Sequence, residues 1–222
     1  MSLRAKRSNL AFPNVGLAFF LVVSLFLSSA AIAAPLSRWQ ALAAQYKQVL
    51  ARAPDDVQAR YNLAMVHAHE GRILDGWNEL KALDKQLGDK RPQFLNEVIT
   101  EARRVLQRSP KDLLRRYRLA FAHYFDGQKG LSRSEFEQIV SLEPTYSWSL
   151  GYLGYLHAEA GDLNKGIELW ERGVKYDPGN SVLHYVLGIA YTRKGQLKKA
   201  ASHFVAAYRD RSLYEYVKGQ SP

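Results

Sequence analysis

The chain reads as an all-α protein, a solenoid of about four stacked helical hairpins, and three observations carry that expectation. Leu119, Leu153 and Leu187 stand 34 residues apart, each followed by a small residue (Ala120, Gly154 and Gly188). Gly127, Gly161 and Gly195 keep the same step, as do Pro110, Pro144 and Pro178. An earlier copy, Leu63-Ala64 with Gly71, has the same internal spacing but lies 56 residues upstream, which is 34 plus 22. A fixed period of this length with helical patterning marks a stacked-repeat architecture.

Residues 1–33 read as an export leader. Arg4, Lys6 and Arg7 form a basic start, an apolar run extends from Val15 to Leu27, and Ala31-Ile32-Ala33 is a small-x-small cleavage signature. Lys6 precedes Arg7, so the twin-arginine pair is absent and general secretion is expected. Val15 to Ala34 is also 20 residues with few polar members, about the length that spans a bilayer. A retained inner-membrane anchor therefore stands as the alternative to cleavage. In either case the basic start holds the N-terminus in the cytoplasm and the repeats face the periplasm. The chain has no cysteine, which excludes disulfides and a lipoprotein anchor.

Residues 34–56 form a half repeat: Trp39, Leu42, Ala43, Tyr46, Val49 and Leu50 follow helical spacing and Pro54 ends it, so this helix is expected to cap the leading end of the stack. Residues 57–84 are the first full copy. The 22-residue excess falls within residues 85–112, where Pro92 suits the first turn of a helix. Phe94, Leu95, Val98, Ile99, Ala102, Val105 and Leu106 then make an apolar stripe, either an inserted helix or the closing helix of a degenerate copy.

Residues 113–210 hold three copies in register. In the third of the four full copies, Leu150, Leu153, Gly154 and His157 share one face of a first helix, Gly161 follows as its C′ residue, and Gly166, Trp170 and Gly173 face inward from a second. Asp177-Pro178-Gly179-Asn180 ends the copy, because proline cannot continue a helix. Small residues recur at repeat positions 8 (Ala64, Ala120, Gly154, Gly188) and 20 (Gly76, Ser132, Gly166, Ala200), allowing close helix approach beside a bulky position 24 (Leu80, Phe136, Trp170, Phe204). In the terminal segment 211–222, Leu213, Tyr214, Tyr216 and Val217 form a short amphipathic stretch expected to cap the last copy.

This pattern resembles the tetratricopeptide repeat, over about 150 residues from Pro54 to roughly Arg209. The resemblance implies a right-handed solenoid whose work is protein binding. Some positions depart from the family. Position 4, often tryptophan, is Arg60, Arg116, Leu150 and His184, and position 27 is Leu83 and Ile139 in the first two copies, where a small residue is usual.

Carried onto this chain, the family's concave positions give a groove with Tyr61 and Met65 from the first copy and Leu114, Tyr117, Phe121, Tyr124 and Phe125 from the second. Trp148 and Tyr155 come from the third, and Tyr185 and Ile189 from the fourth. Few groove positions are charged, so the expected partner is an apolar or amphipathic segment held by aromatic anchors. The lysine and asparagine with which some family members clasp an acidic C-terminus are absent from positions 5 and 9. The competing expectation is a groove partly filled from within by the N-terminal or the inserted helix.

Without residues 1–33, 28 basic and 21 acidic residues leave a charge of +7. The excess gathers at Arg103, Arg104, Arg108, Lys111, Arg115, Arg116 and Arg118. An exported protein rarely meets nucleic acid, so the patch points to an acidic protein, an anionic envelope polymer or lipid headgroups, or else to a solvated helix surface.

No enzyme signature occurs: there is no cysteine nucleophile, nucleophile elbow, phosphate-cradling glycine loop or zinc-protease motif. No catalytic residue, cofactor or metal is therefore expected. His67, His123 and His157 share position 11, with Tyr191 in the fourth copy, and repeat spacing keeps them too far apart to share a metal. The sequence thus predicts a protein-binding adaptor or assembly factor of the cell envelope. A self-assembling scaffold, or a binder of anionic polymer or lipid, is the alternative.

Overall fold

The computed structural model describes residues 37–210 and 217–218. The expected export leader, and Leu213, Tyr214 and Tyr216 of the expected terminal cap, lie outside them. Val217 is described and packs, partly buried, against the core.

The described chain is helical hairpins throughout. Helix α1 (Arg38–Arg52) is the half repeat. The first copy is α2 (Val57–His69) and α3 (Ile73–Leu87), followed by a short 3₁₀ turn at Gly88–Lys90 and the inserted helix α4 (Arg91–Arg108). The remaining copies are α5 (Leu113–Phe125) with α6 (Lys129–Leu142), α7 (Ser147–Glu159) with α8 (Leu163–Tyr176), and α9 (Ser181–Arg193) with α10 (Leu197–Ala207).

Three of the four full copies start the same way. Two residues after the proline, Asp56, Asp112 and Asn180 cap the first helix by accepting the amide hydrogens of Ala59, Arg115 and Leu183 at 2.8–3.1 Å. Tyr146 takes that place in the third copy without a side-chain cap. Gly71, Gly127, Gly161 and Gly195 turn the chain between helices at φ of +72°, +77°, +95° and +69°, where any Cβ would be strained.

The small residues of the third copy meet directly. A Cβ on Gly154 would lie 2.6 Å from the Trp170 indole nitrogen, and one on Gly166 would lie 2.9 Å from the Gly154 carbonyl. Trp170 fills the space beside them and donates to the Gly151 carbonyl at 3.1 Å.

The unexpected residues at position 4 form a repeated clasp. Arg60 binds Glu79 at 2.8 Å and the Pro54 carbonyl at 2.6 Å. Arg116 binds Glu135 at 2.9 Å and the Pro110 carbonyl at 2.8 Å. His184 contacts the Pro178 carbonyl at 3.2 Å and His203 at 2.9 Å. The third copy places Leu150 and Leu169, both buried, at the same positions.

The inserted helix takes the place of a second helix before α5. Pro92 opens it, and Phe94, Leu95, Val98, Ile99 and Ala102 bury its stripe. The first copy then departs from a regular stack, because α2 crosses from α5 to α7. At one end, Tyr61 donates to the Arg118 carbonyl on α5 at 2.9 Å; at the other, the Ala68 carbonyl accepts from Tyr152 on α7 at 2.9 Å.

Candidate functional site: the concave face

The first copy occupies half of the expected groove. Around the end of α2, the His69 carbonyl accepts the Tyr146 hydroxyl, and His69 Nε2 lies 3.0 Å from Glu143. The His69 ring is stacked between Trp39 of α1 (3.8 Å) and Tyr146 (4.6 Å), and Trp39 also meets the Tyr117 ring edge-on at 6.1 Å. The α2–α3 turn rests on Trp148, so closely that a Cβ on Gly71 would fall 2.1 Å from its ring.

This arrangement corrects the expectation of an open partner groove at five of its residues. Tyr61, Met65, Leu114, Tyr117 and Phe121 are core residues within the chain. Tyr61 and Met65 belong to α2 itself, which with Trp39 of α1 lies where a foreign segment would have to enter. Tyr117 bonds Ser149 at 2.9 Å, and burial pushes its hydroxyl pKa well above the usual value. Phe121 packs against Phe136 and Tyr152 at 5.4 and 5.3 Å. Trp148 keeps only a half-buried edge.

The remaining positions form a half-buried aromatic strip toward the C-terminal copies. Tyr124 and Phe125 meet at 5.7 Å, and the Tyr124 hydroxyl lies 3.2 Å from that of Tyr155, itself 7 % exposed. Lys129 sits 5.9 Å above the Tyr124 ring and binds Glu159 at 2.7 Å. Burial raises the Tyr124 and Tyr155 hydroxyl pKa values, so both rings stay neutral across the physiological range. In the fourth copy Tyr185 and Ile189 are half-buried, with Tyr185 against Phe204 (5.9 Å) and Tyr208 (6.4 Å). Tyr208, the C-cap residue of the second helix of the last copy, was not among the sequence-derived residues. The only signal for it is an aromatic side chain at the end of that helix.

The basic cluster divides in two. Arg118 is buried against Glu101 (3.2 Å) and Gln58 (2.9 Å), and burial lowers its pKa. Arg115 pairs with Glu101 at 3.4 Å, and Arg116 is held in its clasp with Glu135. These three are structural cations. Arg103, Arg104, Arg108 and Lys111 are exposed along the end of α4 and the loop beyond it, with Arg103 lying 3.4 Å from the His123 ring.

Of the position-11 residues, His67, His123 and Tyr191 are buried and His157 is half-buried. Among the described residues no group of three or more His, Asp or Glu side chains could hold a metal ion, and no helix is long and apolar enough to cross a membrane.

The tetratricopeptide-repeat family model matches residues 36–75 and 153–214. Among solved structures, the chain is similar to MamA 41-end from Desulfovibrio magneticus RS-1, at 20 % identity over 85 % of this chain and 100 % of that one, with a TM-score of 0.50. A structure titled crystal structure of MamA protein matches at 19 % identity, covering 81 % of this chain and 85 % of that one, with a TM-score of 0.49. At 20 % identity the likeness to the first concerns the fold alone.

Proposed function

Since the chain is a tetratricopeptide-repeat protein, we propose that it works as a protein-binding adaptor or assembly factor of the cell envelope, docking an apolar or amphipathic segment on its concave face. The observation that carries this reading is the partly buried aromatic strip beyond the first copy: Tyr124 and Phe125, then Tyr185 and Ile189, with Tyr208 beside them. Tyrosine gives a large contact area at small entropic cost and is enriched in interface hot spots. The exposed Arg104, Arg108 and Lys111 would steer an acidic flank of the partner. The envelope assignment rests on the basic start, apolar run and Ala31-Ile32-Ala33.

The test is affinity capture from envelope extract with the chain from Ala34 onward. It is run beside a Tyr124→Ala, Tyr185→Ala, Ile189→Ala variant whose helicity is checked by circular dichroism. A partner captured by the wild type and lost by the variant supports the reading. An identical captured set with both proteins overturns the concave site.

Self-association is favoured by a separate observation. Leu197 and Val205, 67 % and 63 % exposed, put two large apolar side chains on the surface of α10. A mass by light scattering that stays monomeric at all concentrations would end that alternative.

A further inference from the structure

The insertion leaves a second recess, between α3 and α4. In the regular copies each second helix is covered by the first helix of the next, as α6 is by α7 and α8 by α9. α3 has no such cover: α4 follows it, makes little contact with it, and packs instead on α5. The divergence opens a cleft of about 250 Å³. Its floor is apolar and buried, formed by Leu83, Phe94 and Leu95, and its rim carries half-buried Trp77 and Leu80. An engineered apolar cavity of about 150 Å³ in another protein stays dry and holds benzene, so this space accommodates a ring with a short tail.

The charges at the mouth are not balanced. Arg91 pairs with Asp84 at 3.1 Å and donates to the Phe125 carbonyl at 3.2 Å, which commits both members of that pair. Lys81 is exposed, with its ammonium 5.5 Å above the Trp77 ring and no carboxylate partner among the described residues. The walls are helices, whose backbone groups are already paired. The mouth therefore offers one cation and no row of free amides, which suits a compact ligand bearing its own charge better than an extended chain.

We propose that this cleft binds a small amphiphilic carboxylate, with its ring-sized apolar body against Leu83, Phe94 and Leu95 and its carboxylate at the Lys81 ammonium. The cleft adjoins the concave face at Phe125, which lines both, but its floor and its cation do not rest on the reading given for that face.

The probe is 3-phenylpropionate, titrated into the chain from Ala34 onward while the indole N–H resonances are followed by NMR, with the Trp77 signal assigned through Trp77→Phe. Binding moves the Trp77 signal and leaves those of Trp39, Trp148 and Trp170 in place. Leu80→Trp, which fills the rim, abolishes the shift. Lys81→Ala weakens binding by up to about fivefold, the scale of an exposed ion pair, and neutral 3-phenylpropanamide is weaker than the acid by a similar factor. Should Leu80→Trp fail to fold, Lys81→Ala and the amide still decide. A Trp77 signal that does not move, or equal affinity for acid and amide, overturns the proposal. The concave-face triple variant retains the shift.

Discussion

Tyr152 on α7 donates its hydroxyl to the carbonyl of Ala68 at the end of α2, 2.9 Å away and 84 residues earlier in the chain. In a simple solenoid each repeat touches only its neighbours, whereas this bond joins the third copy to the first past the second. Unfolding of the first three copies is therefore expected to be one transition, with tryptophan fluorescence and far-ultraviolet circular dichroism coincident in urea. Tyr152→Phe should cost about 1 kcal/mol, since Ala68 keeps the Gly71 amide as a donor at 3.3 Å. Tyr152→Ala should cost about 3–5 kcal/mol, because it also empties a packed site. Separation of the two probes in the wild type would sink the idea that the first copy is locked onto the third.

Gly71 and Gly195 occupy the same repeat position at nearly the same φ, +72° and +69°, but only Gly71 has a ring against it. Gly195→Ala meets nothing within 4 Å and should cost about 1–2 kcal/mol for the left-handed backbone alone. Gly71→Ala drives a methyl into Trp148 and should cost about 1–3 kcal/mol more. Equal losses in paired urea melts would show that the α2–α3 turn does not rest on Trp148.

Much of this architecture was legible in the sequence, and the rest was not for identifiable reasons. Hairpins and turns follow from local chemistry repeated at a fixed step, which is why Gly127, Gly161 and Gly195 sit where the spacing places them. The crossing of α2 onto α7 depends on contacts such as Tyr152 to Ala68, which no local pattern encodes. The burial of Tyr117 and Phe121 is a consequence of that crossing: aromatic residues at concave positions look the same in sequence whether they meet a partner or another part of their own chain. The clasp was within reach. Arg60 and Glu79, Arg116 and Glu135, and His184 and His203 are each 19 residues apart, a regularity that the family comparison registered only as a departure.

The Arg116 clasp should be measurable as a coupling. Arg116 and Glu135 are 13 % and 22 % exposed at the side chain and meet at 2.9 Å. A double-mutant cycle with Arg116→Ala and Glu135→Ala should give a coupling of up to about 1 kcal/mol, the upper end for pairs that water reaches. Arg116→Ala alone should cost more than Glu135→Ala, because the guanidinium also holds the Pro110 carbonyl at 2.8 Å. A coupling indistinguishable from zero would reduce the repeated clasp to a coincidence of geometry.

Stability should fall in mild acid, and the fourth-copy clasp supplies part of the reason. His184 Nδ1 and His203 Nδ1 are 2.9 Å apart, and His184 Nε2 faces the Pro178 carbonyl at 3.2 Å. With both rings neutral, His184 donates from Nε2 to that carbonyl and accepts at Nδ1 from His203. If both rings were charged, hydrogens would face each other across the short contact. Around the pair, Tyr191 stacks on His203 at 5.5 Å with Lys199 above its ring, and Glu171 receives the Tyr191 hydroxyl. Burial first, then the charge of His184, lowers the His203 pKa, with Lys199 adding to the drop and Glu171 opposing it. Burial likewise leads in lowering His123 and His157. A histidine with a depressed folded-state value binds fewer protons folded than unfolded, so its contribution is fully present above the unfolded value of about 6.5 and is lost as pH falls from there toward the folded value. The melting temperature should therefore be lower at pH 5.5 than at pH 7.5. His203→Asn, whose amide can still donate to His184, should narrow that difference. A melting temperature that rises on acidification, or a difference that His203→Asn leaves unchanged, would remove the histidine pair from the account.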